Sequence, residues 1–155
     1  MQLTTKHFGE IEFEEDTVIT FEDGLPGFRE DTRYVLLAND PADLFHWLQA
    51  TSDEDLAFVL MNVSQIMPDY APQIEAELLE DLGDGKRFIY NIAVVPDDLR
   101  DMRVNLKAPI IINKTTRKGK QVLANNEEYG VRHYIFDEVQ QHAADSVKDG
   151  QVAEC

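Results

Sequence analysis

Short apolar runs bounded by turn residues recur along the chain: GEIEF at 9–13, TVITF at 17–21, RYVLLA at 33–38, FHWLQA at 45–50 and LAFVLMNV at 56–63. RFIYNIAVV at 87–95, MRVNL at 102–106, PIIIN at 109–113 and KQVLAN at 120–125 continue the series. The runs are short, rich in β-branched and aromatic residues, and evenly spaced, which is the pattern of an antiparallel sandwich or barrel. Each of these runs is expected to form a strand. The helical period is sparse. Ile74, Leu78, Leu79 and Leu82 fall at i, i+4, i+5 and i+8, and Gly83 follows where a C-terminal cap belongs, so a helix is expected over residues 73–82. PDDLRD at 96–101 starts with Pro and two Asp, which favours one helical turn. The polar stretch after residue 135 has helical spacing at best and is expected to be a loosely held or late-docking tail. The fold class expected is therefore all-β and mainly antiparallel, a small barrel-like single domain with one or two short helices.

Two turn regions stand out. FEDGLPGF at 21–28 packs Gly24, Pro26 and Gly27 between Phe21, Leu25 and Phe28. Its glycines permit unusual φ and its apolar flanks can tuck the loop onto a core, so it is read first as a tight connection and second as a binding loop. FHWLQ places Phe45, Trp47 and Gln49 on one strand face, with Trp47 expected in the core.

Charge changes the picture. The 155 residues carry 30 acids against 14 Lys and Arg, a formal net charge of -16. Between Asp101 and Glu127 there is no acid, but there are Arg103, Lys107, Lys114, Arg117, Lys118 and Lys120. PIIIN and KQVL read as two strands and KTTRKG as the hairpin loop between them, with Gly119 expected to supply the positive φ that closes it. Cations at a hairpin tip are well solvated and discourage edge-to-edge pairing. The alternative, a nucleic-acid-binding β-domain acting through the 102–126 hairpin, lacks the interleaved exposed aromatics of a stacking platform. An acidic globule also repels phosphate, so no direct nucleic-acid contact is expected.

No catalytic constellation is legible. Acid clusters such as Glu14, Glu15 and Asp16, or Asp97 and Asp98, are expected by chance among thirty carboxylates, and none has the spacing of a calcium loop. His7, His46, His133 and His142 are scattered, Ser52, Ser64 and Ser146 lack a nucleophile elbow, and the glycines form no phosphate-cradling loop. The single cysteine, Cys155, allows neither a disulfide framework nor a cysteine-based zinc site. Neither catalytic, cofactor-binding nor metal-binding residues are assigned. With no apolar leader at MQLTTKHFGEIEF and no long apolar run, the expectation is a cytoplasmic protein with no membrane partner.

The stretches FGEIEF, ITFEDGLPGF, FHWLQATSDEDLAF, MPDY and NLKAPIIINKTTRKGKQVL, in this order, resemble the bacterial flagellar assembly factor FliW family from residue 2 to about residue 135. The resemblance implies a β-barrel-like domain over residues 1–135 followed by a polar tail over 136–155. It also implies a non-enzymatic protein that binds flagellin and antagonises the RNA-binding translational repressor CsrA, thereby coupling flagellin export to flagellin translation. It supplies no contact residues. From the residues alone, the densest solvated acids beside ordered structure are Asp53, Glu54 and Asp55 in TSDEDL and Glu75, Glu77 and Glu80 on the expected helix. These six are the candidate partner-binding residues, because complementary charge would speed encounter with a basic partner.

Overall fold

The computed structural model describes residues 2–5, 9–38 and 43–148. His7 and Cys155 lie outside them. The strands are β1 (Gln2–Thr5), β2 (Gly9–Glu12), β3 (Ile19–Thr20), β4 (Arg33–Leu37), β5 (Phe45–Ala50) and β6 (Ala57–Met61), followed by β7 (Arg87–Val94), β8 (Arg103–Val104), β9 (Ile110–Asn113), β10 (Lys118–Gln121) and β11 (His133–Tyr134). All the predicted strands are present, as β2 to β10. The alternation did not mark β1 or β11. β1 forms a separate hairpin with β2, and β11 is a two-residue strand on β8.

Seven strands close into a ring, in the order β7-β6-β5-β4-β3-β10-β9 and back to β7. Every pairing in it is antiparallel except β3 with β10, which meet in parallel at Thr20 and Lys118. The ring interior holds Phe21, Leu25, Tyr34, Leu48, Leu60, Tyr90, Ile110 and Ile112. Phe21 and Tyr34 meet edge-on with centroids 5.5 Å apart. Among the described residues the buried Tyr34 hydroxyl has no hydrogen-bond partner, and burial, reinforced by the charge of Asp31, pushes its pKa up to about 12. On β5 the alternation holds but the buried side is the other one. His46, Leu48 and Ala50 face the buried side, while Trp47 is half-buried on the opposite face.

The loop between β3 and β4 closes one end of the ring. Leu25 has no exposed surface and plugs the interior. Gly24 takes φ 65°, and a Cβ there would stand 2.4 Å from the Arg29 Cα, so this bend requires glycine for space as well as for conformation. The DGLPGF segment is thus structural, with one exposed aromatic, Phe28, on its outer side.

Residues 73–82 do not form the expected α-helix. A 3-10 helix covers Ala76–Leu82, and Gly83 follows at the C-cap with φ 79°. Ile74, Leu79 and Leu82 pack against Ile111 of β9 and Val122, so the apolar spacing serves a short segment laid along the outside of the ring. A further 3-10 turn, Leu99–Asp101, starts as expected, with the Asp98 side chain accepting a hydrogen bond from the Arg100 amide. The longest helix is α1 (Phe136–Lys148). Val139 packs on a second core of Met61, Met102, Val104 and Ile135, and His133 Nε2 lies 3.1 Å from Glu138 Oε2. Among the described residues, no helix is long and apolar enough to cross a membrane.

Candidate functional site

The six candidate acids fall in two places. Asp53, Glu54 and Asp55 occupy the loop joining β5 to β6, and all are exposed. The loop is shaped from beneath by Gln49, which is 1% exposed. Its Nε2 donates to the carbonyls of Ala50, Asp53, Glu54 and Leu56 at 3.0–3.4 Å. The amide of Asp55 donates to Asp53 Oδ1 at 2.9 Å, and Ser52 Oγ donates to Asp31 Oδ1 at 2.7 Å, which clips this loop to the one closing the ring. Among the described residues the carboxylates of Glu54 and Asp55 have no hydrogen-bond or ion-pair partner. They are therefore open to an incoming cation, as a steering group must be.

Glu77 and Glu80 lie on the 3-10 helix and Glu75 at its N-cap, and all three are exposed. Glu75 Oε1 accepts a hydrogen bond from Asn125 Nδ2 at 3.0 Å. The two acid groups are not adjacent around the ring. β4 and β3 separate β5 from β10 on one side, and β7 separates β6 from β9 on the other.

The basic island is divided among local partners. Lys107 Nζ donates to the Asn126 carbonyl at 3.0 Å, Lys118 Nζ is 3.7 Å from Glu22, and Lys120 Nζ reaches the Leu78 carbonyl at 2.8 Å and Asp81 at 3.2 Å. Lys114 sits 4.1 Å over the Phe88 ring, which Lys86 also approaches at 5.1 Å. Partial burial, reinforced by the Lys86 charge, lowers the Lys114 pKa. Gly119 does not close the turn. The residue with positive φ is Arg117 at 59°, while Gly119 lies inside β10, where a Cβ would come within 2.5 Å of the Phe21 ring. Glycine is needed there for packing.

What fixes the tip is Asn113, fully buried at the end of β9. Its Nδ2 donates to the carbonyls of Leu82, Gly83 and Asp84, and its Oδ1 accepts from the amides of Thr115 and Thr116. Sequence reasoning missed both Gln49 and Asn113. The available sign was an amide residue ending an apolar run immediately before a charged turn.

Among the described residues the histidines do not converge. His46 is buried against Tyr90 at 5.2 Å, and His133 faces Glu138. Among the described residues no group of three or more His, Cys, Asp or Glu is placed to hold a metal ion.

A ring of this topology, carrying these turns, has known counterparts. Residues 2–135 match the family described as FliW protein. The chain belongs to the FliW family. The flagellar assembly factor FliW of Alkaliphilus metalliredigens is 40% identical over 158 residues, spanning 99% of this chain and 98% of the relative. That of Thermoanaerobacter pseudethanolicus is 41% identical over 143 residues, spanning 90% and 95%. A crystal structure of the flagellar assembly factor FliW superposes with a TM-score of 0.80 at 35% identity, covering 87% of this chain and 96% of that one. The FliW match takes in both acid groups, the hairpin tip and the loop closing the ring.

Proposed function

We propose that this FliW-family chain is a cytoplasmic flagellar assembly factor that acts by binding and not by catalysis, with flagellin and the translational repressor CsrA as alternative partners. Flagellin bound to it leaves the repressor free to silence flagellin message. Once flagellin is exported, the released factor captures the repressor and translation resumes. The observation that carries this reading is the charge arrangement on a FliW fold. Asp53, Glu54 and Asp55 project from a rigidly anchored loop, whereas most of the basic island is occupied locally. A basic RNA-binding protein is attracted to such a surface and RNA is repelled by it. Glu75, Glu77 and Glu80 are assigned to the same function.

The test is a titration of the full-length chain with purified CsrA and purified flagellin, separately and in competition. Each should bind alone, and saturating flagellin should displace the repressor. A ternary complex that survives size-exclusion chromatography would overturn the proposed coupling, and tight binding of random RNA at physiological salt would overturn the charge argument.

A further inference from the structure

We propose that the free edge of β7 at Arg87–Ile89 is a docking site for an extended, acidic protein segment, which adds to the sheet there as one further strand. This goes beyond the reading above and uses a surface of opposite sign from the one assigned to a basic partner.

The main chain is unpaired along this edge. In an antiparallel ladder, neighbouring residues of a strand turn their N–H and C=O groups alternately to one side and the other. The Val122 amide donates to the Pro109 carbonyl at 3.1 Å, so positions 109, 111 and 113 bond toward β10, while Ile110 and Ile112 bond toward β7. Their partners on β7 are Tyr90 and Phe88. The main-chain groups of Arg87 and Ile89 therefore point to the other side, where β6 lies. β6 reaches only as far as Asn91, which pairs with Met61. Beyond Met61 the chain turns away, with the Asn62 amide donating to the Leu44 carbonyl at 2.8 Å and Val63–Gln65 forming a 3-10 turn. Among the described residues the backbone N–H and C=O groups of Arg87 and Ile89 have no hydrogen-bond partner. Set two residues apart on one edge, they offer donors and acceptors at the repeat of an extended chain, which is how a sheet edge recognises a strand.

The side chains define the strand's chemistry. A hollow of about 370 Å³ lies along this edge, within the roughly 300–1,000 Å³ of ligand clefts. Its walls include Lys86, Arg87, Phe88 and Ile89, with Asn62 and Ser64 from the chain that turns away. Ile89 is 40% exposed. The only charged residues lining the hollow are the two bases. Asp69 and Asp84, the acids closest in sequence to its lining residues, do not line it. Lys114 adds a third cation: it follows Asn113, the partner of Arg87, and converges with Lys86 on the Phe88 ring. The charge that acts on Lys114 is that of Lys86, and it is repulsive. A carboxylate brought to this place relieves that repulsion. A second copy of this chain, paired edge to edge here, would set Lys86 and Arg87 against their own counterparts. A nucleic acid would find the cations but carries no row of N–H and C=O groups at the strand repeat. An extended segment with an apolar residue beside Ile89 and Asp or Glu beside the bases satisfies both the edge and its charges.

The test uses the full chain, ¹⁵N-labelled, and a fluorescein-labelled peptide of about ten residues that alternates Val with Glu. One twin carries Lys in place of Glu. Two others keep the sequence but are N-methylated, one at the Val amides and one at the Glu amides, so that each lacks the donors of one edge. The Glu peptide should shift the Arg87 and Ile89 amides and slow their hydrogen exchange. Its affinity should fall about tenfold or more in one of the two methylated forms, and about tenfold in Lys86→Glu, with a smaller loss in Lys86→Gln. Lys86 is exposed, so both variants should keep the wild-type melting temperature. Arg87 and Ile89 amides unmoved by the peptide, equal binding of the Lys twin, or full binding by both methylated forms would overturn the site. So would a random RNA of similar length that shifts these amides at lower concentration than the peptide, or a dimer of the free chain in which they are already protected. None of these readouts involves CsrA or flagellin, so failure here leaves the functional reading standing.

Discussion

At the hairpin tip Lys118 faces Glu22, Lys120 is shared between Asp81 and the Leu78 carbonyl, and Lys114 lies on Phe88. In the loop joining β5 to β6, Asp53 caps its own turn while the carboxylates of Glu54 and Asp55 have no hydrogen-bond or ion-pair partner among the described residues. Both turns are dense in one sign of charge, and both are fixed from below by a buried amide, Asn113 in one case and Gln49 in the other. The difference lies in what the charges do once the turn is fixed. A cation paired with a carboxylate contributes little net field at a distance, and one resting on a carbonyl or a ring keeps its charge but is held in place, whereas an unpaired carboxylate on a rigid loop projects its field out to the screening length, about 8 Å at physiological salt. Charge density along a sequence does not separate these cases; the partners do.

The largest effect expected from disturbing either region is at Asn113. Changing Asn113→Ala removes the Nδ2 that donates to three carbonyls and the Oδ1 that accepts from two amides, in a site with no exposure. A loss of about 3 kcal/mol is expected from stranding several buried polar groups, read from urea unfolding. A loss under about 1 kcal/mol would mean that the tip is held by the β9–β10 pairing alone.

Gln49→Ala is the matching change at the acid loop. The amide it removes is shared among four carbonyls, of which those of Asp53 and Glu54 lie on the exposed loop and can turn to water while those of Ala50 and Leu56 belong to buried residues. A smaller loss of about 2 kcal/mol is expected. Repressor binding should weaken with it although no charge has changed, because the acids lose their fixed position. Binding unaltered in a Gln49→Ala protein that still folds would show that loop rigidity is irrelevant.

The two regions should also respond with opposite sign to alkali, an effect that vanishes at neutral pH. Tyr34, beside Asp31, has its pKa raised from 10.0 to about 12. Between those values the unfolded chain loses the phenolic proton while the folded chain keeps it, so stability falls as pH rises through this window. Lys114 has its pKa lowered from 10.5 by burial and by Lys86. Below 10.5 the unfolded chain holds that proton more tightly, so Lys114 adds stability as pH climbs toward 10.5. Tyr34→Phe should reduce the alkaline decline, to which Tyr70, also raised to about 12 by burial, contributes as well, and Lys114→Met should remove the preceding rise, both visible in denaturant midpoints taken across the range. Unaltered profiles would mean that neither group is desolvated in solution.

Much of the ring was legible because strands buried on one face impose an alternation that the sequence displays. RYVLLA and FHWLQA became β4 and β5 at nearly the expected limits, whereas PIIIN, buried at every position of β9, was marked by its β-branched run and not by alternation. The face buried on β5 was not legible, since FHWLQ offers apolar residues on both sides and only the closed ring decides that His46, Leu48 and Ala50 face the buried side. The 3-10 helix over Ala76–Leu82 was mistaken for α because Leu78, Leu79 and Leu82 satisfy either helix over so few residues. Gly119 was misassigned for a related reason. A glycine near a turn signals positive φ in sequence, and only the proximity of Phe21, nearly a hundred residues earlier, reveals a demand for space. Positions of Asp53–Asp55 and of Glu75, Glu77 and Glu80 on exposed surface followed from polarity. How those segments are tied to the rest of the fold depends on long-range hydrogen bonds, Ser52 to Asp31 and Asn125 to Glu75, that no local pattern encodes.

The smallest effect on stability is expected from reversing Asp53, Glu54 and Asp55 to Lys together. All three are exposed, and two have no partner to lose, so the unfolding free energy should move by no more than about 0.5 kcal/mol. The same change should slow association with CsrA about tenfold or more at low salt, with a deficit that shrinks as ionic strength rises, while dissociation changes much less. Steering charges act on encounter, before the contacts that govern release have formed. Flagellin binding should be less affected, because assembly subunits are commonly gripped through apolar surface. The counterpart at the hairpin, Arg117, Lys118 and Lys120 changed to Ala, should leave the repressor's association rate nearly unaltered, since two of those three cations already face carboxylates. If stopped-flow measurements show the hairpin variant to be the slow one and the acid reversal to be silent, then the paired charges are the ones a partner senses, and the distinction between the two turns is wrong.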